Sequence, residues 1–114
     1  MIGIYGGSFD PVHLGHLKTA TSIKNELAIK RLFLLPCYEP VHKGSLKYSS
    51  DQRIKMLSLA IEDFSEDVTA TYSYEHIYAP ELPRLTNTTP IVVVNESTGV
   101  STGTYGELID DGEQ

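Results

Sequence analysis

Cysteine is nearly missing from this chain. Cys37 is the only one in 114 residues, so no internal disulfide can form. That usage fits a reducing setting, and a cytoplasmic location is the expectation. Basic residues are also scarce: nine Lys and Arg stand against fifteen Asp and Glu, a formal net charge of -6. A protein that coats nucleic acid needs a basic face, so that class is excluded. A mononucleotide is not excluded, because a few local positive groups suffice. No apolar run approaches the roughly 18 residues of a membrane span. The N-terminus has no basic segment ahead of a long apolar one, so no secretory leader is expected. The length and the 40% hydrophobic content suit a single domain over residues 1–114 with a modest core.

What is present begins with alternating elements. Residues 2–5 read as a short buried strand. A helix is expected from about Leu14, because Leu17, Ala20, Ile23 and Leu27 recur at helical spacing, and Ala28-Ile29 closes it. The apolar run 31–35, bounded by Pro36, reads as a parallel strand. Strand, helix and strand within about 35 residues make one βαβ unit with a right-handed crossover. Residues 38–48 read as loop. Ser49-Ser50-Asp51-Gln52 offers a choice of caps for a second helix reaching about Asp63. The order β-α-β-loop-α opens an α/β, doubly wound parallel sheet.

After Glu66 the pattern weakens. Residues 68–78 have strand propensity. Ile91-Val92-Val93-Val94 is a short, wholly apolar and so central strand. Residues 95–104, rich in Ser, Thr and Gly, read as loop, and 105–109 as one helical turn. The acidic tail from Asp110 reads as frayed.

The chemistry lies in Gly6-Gly7-Ser8-Phe9-Asp10-Pro11-Val12-His13-Leu14-Gly15-His16, directly after the first strand. The glycine pair lets backbone approach a ligand with no Cβ in the way. Ser8 adds a hydroxyl, and Asp10 and Pro11 shape the turn. His13 and His16, three apart at a helix start, face one side. Backbone N–H groups and the positive end of the helix dipole point to the same place. Such a site suits a phosphate chain. Transfer between two bound substrates needs no covalent nucleophile, only positioning and stabilisation of charge at phosphorus. The bland reading is a glycine turn with two surface histidines, and the coincidence of three motifs after a strand disfavours it.

Other phosphate devices fit poorly. Gly3, Gly6 and Gly7 have the wrong spacing for G-x-G-x-x-G, and no G-K-[ST] follows the strand. Zinc on His13 and His16 lacks a Cys or acidic partner in ligand register, so no metal site is assigned. A second cluster, Pro36-Cys37-Tyr38-Glu39-Pro40-Val41-His42-Lys43, follows the second strand at the carboxyl edge where such sheets bind ligands. Lys43 can reach a triphosphate and His42 can assist, against the plain reading of a solvated loop. Arg53 reads as a helix-surface arginine, with phosphate binding the weaker choice.

These residues resemble the nucleotidylyltransferase superfamily, most closely the nicotinate-nucleotide adenylyltransferases. G-G-S-F-D-P-V-H-L-G-H resembles the family signature. Residues 36–43 resemble its loop ending in Pro-Pro-His-Lys, with Val41 replacing one proline, and 51–61 resemble its next helix. The resemblance covers residues 1–64 and implies a Rossmann-like fold, small or incomplete here. It implies transfer of AMP from ATP to nicotinate mononucleotide, with magnesium, giving the dinucleotide and pyrophosphate. His13 and His16 would steady the ATP phosphates and the transition state. Gly6, Gly7, Ser8, Phe9 and Asp10 would border the nucleotide, and His42 and Lys43 would meet its phosphates. The other enzyme readings are transfer to phosphopantetheine, or from CTP to a polyol phosphate. The Pro-Val-His-Lys loop favours the pyridine nucleotide branch.

The resemblance breaks after Asp63. The family continues with a strand-helix unit and a strand ending in Gly-x-Asp, for which the sequence offers no match. Residues 72–77 resemble a later helix carrying Trp/Tyr-Glu, and 91–95 the strand after it. On that alignment 68–78 would be helical and the middle of the domain lost. The family's last helix opens on Ile-Ser-[Ser/Thr]-x-x-Ile-Arg, whose serines and arginine bind ATP. Residues 100–106 echo it, making Ser101 and Thr102 candidate nucleotide contacts, with Gly106 where the arginine would be. A shortened relative that binds nucleotide without catalysis is therefore the non-enzymatic reading. An incomplete sheet leaves apolar edges that favour a homo-oligomer.

Overall fold

The computed structural model describes residues 1–37, 46–63, 68–71, 82–96 and 99–107. Its elements run β1 (Ile2–Gly7), α1 (Leu14–Glu26), β2 (Arg31–Pro36), α2 (Ser50–Ala60), β3 (Val68–Ala70), a 3-10 turn (Leu82–Arg84), β4 (Pro90–Asn95) and β5 (Gly99–Thr104). They form a five-stranded sheet in the order β3-β2-β1-β4-β5. The first four strands are parallel and β5 is antiparallel to β4. This is the expected α/β, Rossmann-like sheet.

Alternation along β1 divides the core between two faces. Tyr5 joins Leu32, Leu34, Val92 and Val94 on the face covered by Ala20 of α1 and Leu57 of α2. Ile2 and Ile4 point the other way, with Phe33, Ile91 and Tyr105. Helix α2 is closed by a reciprocal cap. Ser49 Oγ accepts from Gln52 N–H at 3.2 Å, and Gln52 Oε1 accepts from Ser49 N–H at 3.0 Å. Helix α1 ends earlier than its apolar pattern, at Glu26, because Ala28 turns left-handed with φ 51°.

One expectation changes, and one pair of alternatives is decided. Residues 99–104 are strand, not loop, with Ser101 opposite Val93 and Thr102 opposite Val92. A partner strand supplied the ladder that weak propensity did not. Residues 68–70 are extended and pair with β2, in keeping with their strand propensity and against the helix that the family alignment implied. The remainder of 68–78 beyond Thr71 lies outside the described residues, as does the segment resembling a Trp/Tyr-Glu helix. The strand expected at 91–94 is β4, which lies inside the sheet between β1 and β5 and is followed at once by Glu96.

Strand β1 leads to β2 on one side, and the chain later returns to β4 on the other. The strand order therefore reverses about β1, and the crevice at the carboxyl ends of β1 and β4 is where such sheets bind ligands.

Candidate functional site

The glycine turn opens into that crevice. Gly6 pairs with Asn95, and Glu96 N–H donates to the Gly6 carbonyl at 3.2 Å. This brings the end of β4 against the turn. Glu96 Oε1 accepts from Ser8 N–H at 2.6 Å and from the Ser8 hydroxyl at 2.9 Å. Its other oxygen, Oε2, lies 3.0 Å from His16 Nε2. Three donors thus converge on one carboxylate. Gly7 makes the approach feasible, because a Cβ there would sit 2.5 Å from Glu96 Cδ.

The histidines are oriented by the helix start itself. His13 is the N-cap of α1, and its Nδ1 accepts from Gly15 N–H at 3.1 Å. His16 reaches back, its Nδ1 accepting from His13 N–H at 3.1 Å. A backbone N–H can only donate, so each Nδ1 is unprotonated and each proton sits on Nε2. Both rings are therefore Nε2–H tautomers, and His16 donates to Glu96. The rings stack 3.9 Å apart between centroids.

Phe9 packs against His16 of this pair. It is fully buried, with its ring edge-on to His16 at 4.8 Å and to Tyr5 at 5.2 Å. Its φ is 45°, a costly conformation for a bulky residue, held by that burial. Asp10 faces away from the donors: its carboxylate accepts from Lys47 N–H at 2.6 Å and Tyr48 N–H at 2.8 Å. It fixes the backbone leading into α2.

Burial raises the Glu96 carboxyl, but the Ser8 backbone and hydroxyl hydrogen bonds and the His16 contact outweigh it, and its pKa lies below the ordinary 4.5. The Tyr5 hydroxyl is held above its ordinary value by burial and then by the Glu96 charge.

Arg53 corrects the sequence reading. It is 1% exposed, not on the helix surface. Its guanidinium donates to the carbonyls of Ser8 at 3.0 Å, Cys37 at 2.6 Å and Tyr48 at 3.1 Å, and to Ser50 Oγ at 3.2 Å. One buried side chain ties the glycine turn to the end of β2 and the start of α2. Its signal was its spacing: four residues before Leu57, it shares that residue's buried face.

The structure thus brings Gly6, Gly7, Ser8, His13 and His16 together and adds Glu96, which the sequence reading missed. His42 and Lys43 lie outside the described residues. Ser101 and Thr102 sit on the edge strand, where they line a cavity of about 210 Å³ with Ile91, Val93 and Glu107.

A family model described as cytidylyltransferase-like matches residues 4–98. The chain belongs to the cytidylyltransferase-like family. A probable nicotinate-nucleotide adenylyltransferase of Vesicomyosocius okutanii is 55% identical over 65 residues, which is 57% of this chain and 31% of that protein. Its counterpart in Methylococcus capsulatus is 44% identical over 63 residues, 55% of this chain and 30% of that protein. The match to this chain thus spans under a third of these curated relatives. A solved structure of Plasmodium falciparum nicotinic acid mononucleotide adenylyltransferase complexed with NaAD superposes with a TM-score of 0.55 at 21% identity, over 82% of this chain and 49% of that one. That likeness bears on the fold. No helix among the described residues is long and apolar enough to cross a membrane.

Proposed function

We propose that this cytidylyltransferase-like chain carries the phosphate-handling wall of an adenylyl-transfer site. In that reading it moves AMP from ATP to nicotinate mononucleotide. The observation that carries the proposal is the convergence of Ser8 N–H, Ser8 O–H and His16 Nε2–H at the carboxyl ends of β1 and β4. Anion donors at that position suit phosphate oxygens. The names of the curated relatives supply the choice of acceptor.

In the proposed reaction, a phosphate oxygen of the mononucleotide attacks the α-phosphorus of ATP. The new P–O bond forms as the bond to the β-phosphate oxygen breaks, and pyrophosphate leaves with its electron pair. His13 and His16 present Nε2–H toward oxygens that gain charge, and the Gly6-Gly7 backbone allows close approach. Because both Nδ1 atoms are occupied by backbone N–H groups, the rings need no reorientation at the moment of transfer. Phe9 and Asp10 act from behind, one under His16 and one on the 47–48 backbone. His42, Lys43, Ser101 and Thr102 are further proposed nucleotide contacts.

Among the described residues, no three His, Cys, Asp or Glu side chains gather in a metal-binding group. The His Nδ1 lone pairs are also engaged, so these residues do not fit a resident ion. Magnesium belongs in this proposal only as a companion of the ATP phosphates, where it offsets their charge.

The test is incubation with ATP, magnesium and a panel of acceptors: nicotinate mononucleotide, nicotinamide mononucleotide and phosphopantetheine, with CTP and a polyol phosphate as a separate arm. Pyrophosphate release with nicotinate mononucleotide alone supports the reading. One competing view, a relative that binds nucleotide without transfer, is favoured by the Glu96 carboxylate on the Ser8 and His16 donors. ATP binding with no pyrophosphate from any acceptor would establish that view instead.

A further inference from the structure

We propose that the Glu96 carboxylate is an internal competitor for the anion donors of the glycine turn, and so sets how strongly this chain holds a phosphate. That the displacing ligand is a nucleotide rests on the adenylyl-transfer reading; the competition itself does not.

The donors that a phosphate would use are already satisfied by an anion of the chain's own. Glu96 takes both hydrogens of Ser8 through one oxygen and meets His16 Nε2 with the other. The arrangement is built into the backbone. The Glu96 N–H is bonded to the Gly6 carbonyl, which places residue 96 directly above the turn. Gly7 leaves room for the carboxylate where any other side chain would collide with it.

A carboxylate and a phosphate cannot share these donors. The donor hydrogens are few, and two anions in contact repel. A phosphate must therefore displace Glu96, which rotation of its side chain allows while the backbone stays paired. The side chain is 27% exposed, so it has a solvent-facing route out. A polyphosphate carries more charge and more acceptor oxygens than one carboxylate and can win the exchange. A monophosphate gains less and is disfavoured, so Glu96 discriminates by charge.

Calorimetric titration with inorganic triphosphate reads this without any catalysis. The set is the unaltered chain, Glu96→Ala, and Glu26→Gln as a control removing the same charge elsewhere. Glu26 is exposed at the far end of α1, about 15 Å along the helix from His16 and beyond the Debye length at 0.1 M salt. Glu96→Ala should bind triphosphate about tenfold tighter, and Glu26→Gln should change little. Equal or weaker binding by Glu96→Ala overturns the proposal, and so does an equal gain in Glu26→Gln. A second reading uses the unaltered chain, so it survives misfolding of the variant. The Glu96 side-chain carboxyl carbon resonance should move to the position of an exposed glutamate at saturating triphosphate. An unmoved resonance at saturation overturns the proposal. Absence of pyrophosphate release in the acceptor panel would remove the adenylyl-transfer reading and leave both of these results to decide the competition.

Discussion

Arg53 Nη1 donates to the Ser8 carbonyl at 3.0 Å from a side chain that is 1% exposed. The residue whose N–H and hydroxyl hold Glu96 is thus held from behind by a buried cation. Removing a buried, multiply bonded charge leaves carbonyls without donors. Arg53→Ala should cost about 3 kcal/mol in urea unfolding, and Arg53→Lys should recover only part. An effect below about 0.5 kcal/mol would show that the network is dispensable.

The depressed Glu96 pKa gives a pH dependence of definite sign. The group binds its proton more weakly folded than unfolded. Its contribution is therefore present above the unfolded value, near 4.5, and lost as pH falls through the lower folded value. Glu96→Gln should flatten the fall in stability below pH 4.5, measured by thermal melts across pH 3 to 6. An identical pH slope in the variant would contradict the assignment.

Ala28 follows the last turn of α1 at φ 51°, where an L side chain is penalised and glycine is not. Ala28→Gly should stabilise the chain by about 1 kcal/mol, the reverse of the usual effect of adding glycine. Urea unfolding checks it, and a loss of stability would count against the assigned backbone.

Asp10 links the glycine turn to residues 37 and 38 positions later through two N–H groups. Asp10→Ala should cost about 2 kcal/mol and speed hydrogen exchange at the Lys47 and Tyr48 amides, with little change in the β1 amides. Unchanged exchange at 47 and 48 would refute the link.

The first half of the fold was legible because its signals are local. Apolar runs at 2–5 and 31–35 announced β1 and β2, and helical spacing from Leu17 to Ile23 announced α1. Strand β5 was not legible, because its Ser, Thr and Gly residues face outward at a sheet edge and are ordered by pairing with β4. Arg53 was misread because charge suggests exposure, although its spacing to Leu57 placed it inward. Glu96 escaped notice because its role depends on β4 lying beside β1, a pairing 89 residues apart in register that no local pattern encodes. The turn 6–16 was legible as a strand-to-helix glycine turn that puts His13 beside His16, but its partner Glu96 was not.

In the proposed function the Ser8–His16 wall serves adenylyl transfer. Its most direct measurement is dinucleotide formation from ATP and nicotinate mononucleotide, followed by chromatography, for the unaltered chain and for His16→Asn. Asparagine keeps an acceptor for the His13 N–H and removes the Nε2–H. Dinucleotide and pyrophosphate should form in equal amounts, at a rate about a hundredfold lower in the variant. No dinucleotide at high protein concentration, or an equal rate in His16→Asn, would contradict it.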